Sequence, residues 1–379
     1  MRVALVHDYL TQMGGAERVL ESLHDVFPDA PVFTSVVDPS VIPATWQGWD
    51  IRASPMNRLP GAVAWHRAVP PAYPVVFRTF GRALRAYDVV LSDSSAWSHQ
   101  APAGPGAIHV CYCHSPARFL YGDEAYLRPA KVPGPCRPAL RAMFTILRRV
   151  DQRAASMVDR YVANSKTVAL RIENAYGRKA EVVYPPVEVE RIGAIADGLP
   201  REPGDAYVVV SRLVPHKRVD LAVAAFNHLG LPLTIVGDGR AMERLKTAAG
   251  PNIHFLGRRD DREVAELLAT SRGLILPAIE DFGITAVEAQ AAGRPVIALN
   301  AGGAQESVVP GKTGVLFAES SIGSLIDAVR DAEGTAWDRA RIMANAARFG
   351  RERFQREMLA EIEATVARAE ESRSTVPGS

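Results

Sequence analysis

The sequence predicts an α/β protein built from two doubly wound parallel sheets. Short apolar segments rich in Val, Ile and Leu alternate with helical segments at intervals of about 20 residues, the pattern of parallel strands joined by helices. The chain of 379 residues exceeds a single typical core, so two domains are expected. The segment 183–187, VYPPV, predicts a stiff linker between the two halves, and we place the boundary near residue 185.

The first half begins with a strand and a glycine-containing turn. Residues 3–6 are apolar and predict a short buried strand, which His7 leaves toward Gly14 and Gly15. The helix that follows is predicted to begin near Ala16. Two glycines between a strand and a helix allow the backbone to approach a phosphate closely, although a tight turn without a ligand has the same sequence. The dinucleotide-binding pattern G-x-G-x-x-G is absent here.

Two further strands in this half end at polar residues. Residues 107–113 predict a strand, and His114 begins the loop after it. Residues 161–163 predict another strand, which is followed by Asn164. Ligands bind beyond the carboxyl ends of the strands in sheets of this kind, so we expect His114 to face such a ligand. An ordinary core or surface histidine is the alternative.

The second half opens with a strand and two basic residues. Residues 207–210 predict a buried strand, and Arg212 and Lys217 lie in the loop before a helix that begins near Val219. A guanidinium offers a planar fork and an ammonium a mobile point charge, which together suit a diphosphate. Two solvated basic residues in a polar loop are the alternative.

Two more predicted strands in the second half end at glycines. Residues 233–236 lead to Gly237, and residues 254–256 lead to Gly257. Because the strands are predicted to be parallel, Arg212 and both glycines are expected at the carboxyl edge of one sheet.

The segment 280–295, EDFGITAVEAQAAGRP, carries two acidic residues eight positions apart. An apolar strand predicted at 273–279 precedes Glu280, and Glu288 lies inside a helix predicted over 284–292. One acid therefore follows a strand and the other belongs to the next helix. Two solvated acids on a surface helix are the alternative.

The turn between these two acids predicts an anion site. The backbone amides of Phe282, Gly283 and Ile284 lie at the start of the helix, where unpaired N–H groups favour negative charge. A ligand with a phosphate at the helix start and hydroxyl groups at both flanks fits this unit. A nucleotide-sugar is such a ligand.

These motifs, in this order, resemble glycosyltransferase family 4, whose members are retaining enzymes of the GT-B fold, with two Rossmann-like domains facing across a cleft. Arg212 and Lys217 match its R-x4-K signature, and Glu280 and Glu288 match its E-x7-E motif. The resemblance implies that the two basic residues grip the diphosphate of the donor. It also implies that Glu280 meets the donor sugar and that Glu288 holds the ribose hydroxyls.

The resemblance implies three further contacts with substrates. The loop at Gly257 and Arg258 would lie against the nucleotide base. The pair Gly14 and Gly15 would face the donor phosphate and the acceptor. His114 would contact the transferred sugar near its sixth position.

The same resemblance divides the chain by function. Residues 1–185 would form an acceptor-binding domain, onto which a helix at about 355–372 packs back, and residues 186–354 would bind the nucleotide-sugar. Arg218 departs from the family pattern, because a glycine is common at this position, and the loop could therefore meet a phosphate differently.

Two segments narrow the resemblance within the family. HDYL…GGAE and CYCHSPARF resemble bacterial mannosyltransferases that use GDP-mannose to extend exopolysaccharide or O-antigen chains on a lipid carrier. The expected reaction is transfer of mannose from GDP-mannose to a lipid-linked saccharide, forming an alpha-glycosidic bond. A glycosyltransferase that uses a UDP-sugar and a nucleotide-sugar epimerase of the same fold are the alternatives.

The sequence predicts chemistry without a metal or other cofactor. No Asp-x-Asp pair is present to bridge a divalent ion to a diphosphate, so Arg212, Lys217 and a helix N-terminus are expected to neutralise it. A double displacement needs a carboxylate behind the anomeric carbon, and Asp8 and Asp93 are the only candidates in the predicted cleft loops of the first half. We expect both to orient hydroxyls. Substitution on the same face, with the departing diphosphate taking the acceptor's proton, is the expected mechanism.

Charge is unevenly distributed although the net charge is only +2. Residues 51–86 carry six arginines and no acidic residue, with aromatic residues between them. Such a surface suits contact with an anionic membrane, and the face of an ordinary domain is the alternative. A nucleic-acid partner is not expected, because no nucleic-acid-binding motif accompanies the charge.

The sequence predicts a cytoplasmic location, with peripheral association at the inner face of the plasma membrane as a further expectation. The apolar run at the N-terminus is cut by His7 and Asp8, unlike a signal peptide, and no run of about 18 apolar residues follows. The three cysteines have no zinc or redox spacing and are expected to be buried thiols in a reducing compartment.

Overall fold

The computed structural model describes residues 1–122 and 137–374. The chain divides into two compact units. Unit 1 comprises Met1–Tyr184 with Gln355–Ser379, and unit 2 comprises Pro185–Phe354. The assignment of acceptor binding to the first domain and donor binding to the second stays a prediction.

Unit 1 contains a parallel sheet of seven strands among its described residues. The strand order is β3-β2-β1-β4-β5-β6-β7, so the chain reverses its direction of winding between β1 and β4. These two central strands pair over their whole length, from Val3 opposite Val89 to His7 opposite Asp93. The strands are β1 Val3–His7, β2 Val32–Thr34, β3 Ile51–Ala53, β4 Val89–Ser94, β5 Ile108–Cys113, β6 Arg160–Ala163 and β7 Ala180–Val182.

The helices of unit 1 connect these strands and cover the sheet. The α7 N-terminus is capped by Ser165, whose hydroxyl accepts the amide of Val168 at 3.1 Å. The last helix begins in unit 2 and belongs to unit 1 from Gln355 onward. The helices are α1 Gly15–Val26, α2 Ala62–Trp65, α3 Tyr73–Arg78, α4 Gly81–Leu84, α5 Arg118–Tyr121, α6 Arg137–Ala155, α7 Lys166–Tyr176 and α16 Arg351–Ser374.

Unit 2 contains a parallel sheet of six strands within the same described ranges. Its order is β10-β9-β8-β11-β12-β13, so the winding reverses between β8 and β11. Gly257, the last residue of β10, pairs with Val236 of β9 after a register shift. The strands are β8 Tyr207–Val210, β9 Leu233–Val236, β10 Ile253–Gly257, β11 Leu274–Leu276, β12 Val296–Leu299 and β13 Gly314–Phe317.

The helices of unit 2 begin and end where the sequence supplies caps. Asp260 and Glu263 form a capping box at the start of α11, and Gly230 ends α9 in the left-handed region with φ 70°. The helices are α8 Val189–Asp197, α9 Val219–Leu229, α10 Met242–Ala248, α11 Asp261–Thr270, α12 Ile284–Ala291, α13 Ala304–Ser307, α14 Ile322–Glu333 and α15 Arg339–Ala346.

The predicted fold class is confirmed, and the differences are local. The strand predicted over 273–279 is shorter, because β11 ends at Leu276 and Pro277 follows, which has no N–H to donate to a neighbouring strand. Ile279 is 53% exposed, so the apolar run leaves the sheet before Glu280.

The aromatic residues predicted to share a surface with the arginines of 51–86 lie mostly in the core. Tyr73, Phe77 and Phe80 are buried and pack with Phe33 and Trp97 into one hydrophobic cluster. The arginines of this segment are exposed. The aromatic part of that membrane-surface prediction is therefore wrong, since burying rings of this size stabilises unit 1 more than exposing them would.

Candidate functional site

The loops after β8 and β11 place three predicted residues where the sheet of unit 2 reverses its winding. Arg212 lies two residues beyond β8 and is exposed. Lys217 ends a short 3₁₀ turn, Pro215–Lys217, in the same loop. Glu280 lies in the loop beyond β11, the neighbour of β8. Ligands of open α/β sheets bind at this position, beyond the carboxyl ends of the strands.

Lys217 and Glu280 form an ion pair across this point. The Nζ atom of Lys217 lies 2.6 Å from Oε1 and 2.5 Å from Oε2 of Glu280. Their side chains are 18% and 15% exposed, so water screens the pair only partly. The sequence predicted separate roles for these residues, and the structure adds that each holds the other.

The start of α12 lies directly after Glu280. Gly283 is the N-cap residue, with φ 84°, a conformation that few residues except glycine adopt, and it supplies no side-chain cap. The amides of Gly283 and Ile284 therefore stand at a helix N-terminus with no side-chain cap, as predicted for an anion site. Glu288 lies within α12 and is 8% exposed.

Phe282 contributes its ring to the core of unit 2. The side chain is 2% exposed, and its ring centroid lies 5.4 Å from that of Phe349. A buried ring at this position fixes the backbone of the turn, and the predicted ligand contact of Phe282 is through its backbone amide.

The loop after β12 is part of the same edge, although the sequence analysis did not include it. The amide of Gly303 donates to the carbonyl of Glu280 at 2.9 Å, and Gly302 forms a parallel bridge with Glu280. A Cβ atom at Gly303 would lie 2.2 Å from Cα of Phe282, so only glycine allows this approach. The signal was available: the strand at 296–299 is followed by Asn-Ala-Gly-Gly, the strand-then-glycine pattern seen twice before.

Gly257 and Arg258 lie at the outer strand of the same edge. The carbonyl of Gly257 accepts the amide of Gly237 at 2.8 Å, which joins the ends of β10 and β9. Arg258 follows and is exposed. The sheet order places β10 two strands from β8, so Arg258 belongs to the same edge as Arg212 without being adjacent to it.

Arg218 adopts a backbone conformation that explains why glycine is common there in the family. Among the described residues it is the one non-glycine position with positive φ, at 50°. Left-handed backbone is unfavourable for residues with a Cβ atom. Its guanidinium is turned toward the loop after β13, where Nη1 donates to the hydroxyl of Ser320 at 2.8 Å.

In unit 1, the corresponding edge carries Gly14, Gly15 and a group of buried charged residues. Gly14 is the N-cap of α1 and supplies no side-chain cap, and Gly15 is the first residue of that helix. Glu17, in the first turn, is 2% exposed, and its Oε2 atom is buried without a hydrogen-bond partner. That atom lies 3.2 Å from the position a Cβ of Gly14 would take.

His114 lies at this edge and is held by Asp93. Its Nε2 atom is 2.5 Å from Oδ1 of Asp93, and the other oxygen, Oδ2, is 2.8 Å from Nδ1 of His7. Asp93 is 1% exposed, and burial opposes its ionisation, but the two histidines outweigh burial and lower the pKa of Asp93. Asn164 donates to the backbone carbonyl of His114 at 3.2 Å.

Asp8 has a structural role that the sequence did not predict. Its carboxylate accepts the amide of Ser95 at 2.9 Å, that of Trp97 at 2.9 Å and that of Ser98 at 2.6 Å. Because Asp8 caps this turn and Asp93 lies between two histidines, both carboxylates are engaged by the protein itself. The expectation that they orient hydroxyls is replaced by these two roles.

A cavity of about 740 Å³ in unit 2 lies elsewhere, at the amino ends of the strands. Four of its charged lining residues form two ion pairs: Arg272 with Glu333 at 2.8 Å and Arg339 with Asp197 at 2.9 Å. This cavity therefore belongs to a salt-bridged network and not to the edge that carries the predicted residues.

Known proteins match both units. The family described as Glycosyltransferase Family 4 matches residues 13–191, and the family described as Glycosyl transferases group 1 matches residues 195–349. The chain carries a Glycosyltransferase Family 4 domain and a Glycosyl transferases group 1 domain. These two stretches contain every predicted site residue from Gly14 to Glu288.

Curated relatives match parts of the chain. Glycogen synthase of Mycobacterium tuberculosis is 36% identical over 142 residues, 35% of this chain and 34% of that protein. The GDP-mannose-dependent alpha-(1-6)-phosphatidylinositol monomannoside mannosyltransferase of Mycolicibacterium smegmatis is 31% identical over 226 residues, 49% of this chain and 55% of that protein. The chain thus matches between 34% and 55% of the length of these relatives.

A solved structure shows the fold. Anabaena Alr3699/HepE in complex with UDP and glucose superposes with a TM-score of 0.70 at 19% identity, over 96% of this chain and 99% of that one. The predicted GT-B fold class is confirmed by this likeness.

The described residues also bear on cofactors and membranes. Residues 1–122 and 137–374 contain no group of three or more His, Cys, Asp or Glu side chains that could hold a metal ion. None of the helices in these ranges is long and apolar enough to span a bilayer. Cys111 and Cys113 are buried, and Cys136 lies outside the described residues.

Proposed function

We propose that this chain is a retaining glycosyltransferase that moves mannose from GDP-mannose to a lipid-linked saccharide. The observation that carries the proposal is the meeting of Arg212, Lys217, Glu280 and the α12 N-terminus at the reversal point of one parallel sheet. The name of the Mycolicibacterium smegmatis relative supports GDP-mannose as the donor.

The proposed roles in unit 2 follow from charge. A diphosphate gains negative charge as its bond to the sugar breaks, so cations placed on it stabilise the transition state more than the ground state. Arg212 is exposed and able to contact the diphosphate directly. Lys217 would exchange Glu280 for the diphosphate, or share its ammonium between them, and Glu280 would then be released toward the sugar. Glu288 would bind the ribose hydroxyls.

The proposed role of unit 1 centres on His114. The carboxylate of Asp93 accepts a hydrogen bond from Nε2 of His114, so Nε2 is the donor nitrogen. Nδ1 of His114 is therefore the nitrogen that contacts a sugar hydroxyl in this proposal. Among the described residues of this edge, the carboxylates of Asp8, Asp93 and Glu17 are at most 2% exposed, and Asp8 and Asp93 already accept hydrogen bonds within unit 1, so we assign none of them as a nucleophile. We therefore propose same-face substitution, with the departing diphosphate as the base and no metal ion.

The acceptor and its surroundings form a separate part of the proposal. The exposed arginines of 51–86, together with exposed Leu59 and Val75, support contact with an anionic membrane that presents the lipid-linked acceptor. Flotation with phosphatidylcholine vesicles with and without phosphatidylglycerol measures this contact. We expect binding to the anionic vesicles alone, and equal recovery with both would contradict it.

A donor panel tests the proposed function. The protein is incubated without acceptor with GDP-mannose, UDP-glucose and UDP-galactose, with and without EDTA, and products are identified by NMR. We expect slow hydrolysis of GDP-mannose that EDTA does not change. Conversion of the sugar to its epimer would assign the alternative activity, and turnover of a UDP-sugar alone would reassign the donor.

A variant pair connects that activity with the site. Lys217→Ala should abolish most hydrolysis, whereas Lys246→Ala should not. Lys246 is a matched control because it is also ion-paired, with Glu243 at 3.5 Å, but it lies in α10 and is 49% exposed. Equal activity of the two variants would remove Lys217 from the proposed site.

A further inference from the structure

His7 has a carboxylate facing each of its two ring nitrogens. Nδ1 lies 2.8 Å from Oδ2 of Asp93, and Nε2 lies 3.7 Å from Oε1 of Glu17. All three side chains are at most 2% exposed. The charged groups that face His7 therefore come from β4 and from α1, and water does not screen them.

This geometry favours a doubly protonated His7. A neutral imidazole donates from one nitrogen and accepts at the other, and a carboxylate cannot donate to the accepting nitrogen. Two buried carboxylates without a counter-charge are also strongly unfavourable. Burial alone would lower the pKa of His7, but the hydrogen bond to Asp93 and the nearby carboxylate of Glu17 outweigh it and raise the pKa to about 10.

The cluster of His7, Asp93 and Glu17 lies next to both features predicted at this edge, His114 and the glycine turn at Gly14. The second oxygen of Asp93 holds Nε2 of His114 at 2.5 Å. The second oxygen of Glu17 is buried, has no hydrogen-bond partner and lies 3.2 Å from the position of a Cβ at Gly14. Glu17 is thus placed between the glycine turn and the histidine.

We propose that His7 and Glu17 are positioning residues, which hold Asp93 ionised and oriented so that His114 donates from Nε2 and presents Nδ1 to the ligand. His7 and Glu17 are the first and last residues of the segment HDYL…GGAE quoted above, and the resemblance implied a role for neither of them. The inference rests on the proposed function for the role of His114, and on the geometry of unit 1 for the protonation of His7.

Nitrogen NMR of the full chain labelled with ¹⁵N-histidine tests the protonation directly. His7 is assigned by the loss of its signals in His7→Asn. We expect both ring nitrogens of His7 to be protonated at pH 7.5, and His114 to be protonated at Nε2. A neutral His7 at this pH would overturn the proposal, whether or not the protein turns over any donor.

Glu17→Gln tests the coupling, with Glu21→Gln as the control. Glu21 lies one turn further along the same helix and accepts a hydrogen bond from Trp46 at 3.1 Å, outside the cluster. In Glu17→Gln, the pH at which His7 loses its proton should fall by at least about one unit, and in Glu21→Gln it should not change. An unchanged titration of His7 in Glu17→Gln would overturn the role of Glu17.

Kinetics distinguish positioning from a merely structural contribution. In Glu17→Gln, kcat for donor hydrolysis should fall about threefold more at pH 9.5 than at pH 6.5, while KM changes less than twofold. A pKa lowered by one unit from about 10 leaves about a quarter of His7 protonated at pH 9.5, compared with about three quarters in the unmodified protein. Glu21→Gln should follow the unmodified protein at both pH values. An equal loss at both pH values would contradict positioning through His7. If no donor is hydrolysed by the unmodified protein, the proposed function fails and the NMR result still decides the protonation.

Discussion

The two sheets reverse their winding at equivalent points and place different chemistry there. In unit 2, the reversal between β8 and β11 carries exposed Arg212 and the partly exposed pair Lys217–Glu280. In unit 1, the reversal between β1 and β4 carries His7 and Asp93, which are almost completely buried. The first arrangement suits a highly charged ligand that enters from water, and the second suits fixed orientation of one partly exposed side chain, His114.

This difference between the two sites follows from the way in which water screens charges and competes for hydrogen bonds. A cation that must meet a diphosphate has to be accessible from water and able to exchange its protein partner for the ligand, so partial exposure is required. A carboxylate that orients a histidine works better without water, because fewer competing hydrogen bonds are available to it. The same topology therefore provides one site for binding charge and another for holding geometry.

The largest effect is expected when one of the basic residues at the reversal point of unit 2 is removed. Arg212→Ala and Lys217→Ala should each lower turnover roughly 10²- to 10³-fold, as loss of one oxyanion donor does. The measurement is initial donor hydrolysis by each variant, with Lys246→Ala beside them. Turnover at the level of the unmodified protein in both variants would mean that the diphosphate binds elsewhere.

Substitution of the two acids of the E-x7-E motif should have different effects, one on nucleotide binding and the other on turnover. Glu288→Ala should weaken calorimetric binding of free GDP by about 1.5–3 kcal/mol, the contribution of hydrogen bonds to a charged group. Glu280→Ala should reduce turnover without weakening GDP binding, because it also frees Lys217 from its ion pair. Equal weakening of GDP binding by both substitutions would show that the roles are not divided.

Acid should destabilise unit 1 before unit 2. Burial lowers the pKa of His109 to about 3 and that of His66 to about 4, so both are neutral in the folded unit. Their folded pKa values lie below the ordinary 6.5, so stability falls as pH drops below 6.5, by roughly 1–2 kcal/mol per histidine at pH 5. His7 acts oppositely: its contribution is complete below 6.5 and is lost as pH rises through about 10.

Hydrogen exchange resolved by peptide measures this difference between the units. After correction for intrinsic exchange, protection of unit 1 should be greatest near pH 6.5 and should fall at pH 5 and at pH 9. The histidines of unit 2, His216, His228 and His254, are exposed, so its protection should change less. An equal loss of protection in the two units would contradict the assignment of this pH dependence to the buried histidines.

The smallest expected effect is a gain in stability at Arg218. Arg218→Gly should raise the free energy of unfolding by about 0.5–1 kcal/mol, because glycine adopts positive φ without a clash between Cβ and the backbone. Arg240→Gly is the control, since Arg240 is exposed and does not have a positive φ. Chemical denaturation should show a gain for the first and a loss for the second; a loss for both would mean that the hydrogen bond to Ser320 matters more than the strain.

The sequence predicted which segments form strands, and which residues follow them, more reliably than the contacts that those residues make. Arg212, Glu280 and His114 lie at the carboxyl ends of strands, where a local apolar run followed by a polar residue predicts them. The pair Lys217–Glu280 joins residues 63 positions apart, and it depends on β8 and β11 being neighbours. Strand order of this kind is not a local property of the sequence.

Burial explains the remaining differences. Arginines and aromatic residues alternate in 51–86, and the sequence alone does not show which of them face the core. Packing decides, and Tyr73 and Phe77 are buried while the arginines are exposed. Asp8 was treated as a ligand contact because it follows a strand, but the turn at 95–98 supplies three amides to it first.

The last helix determines when unit 1 can be completed during synthesis. Met358 and Ile362 of α16 are buried, and Glu361 pairs with Arg160 at 2.9 Å, a residue about 200 positions earlier in the chain. All of unit 2 is translated between these two partners. A chain synthesised as far as residue 354 thus contains all of unit 2 and an unfinished unit 1, so the unit that is made first reaches its final packing last.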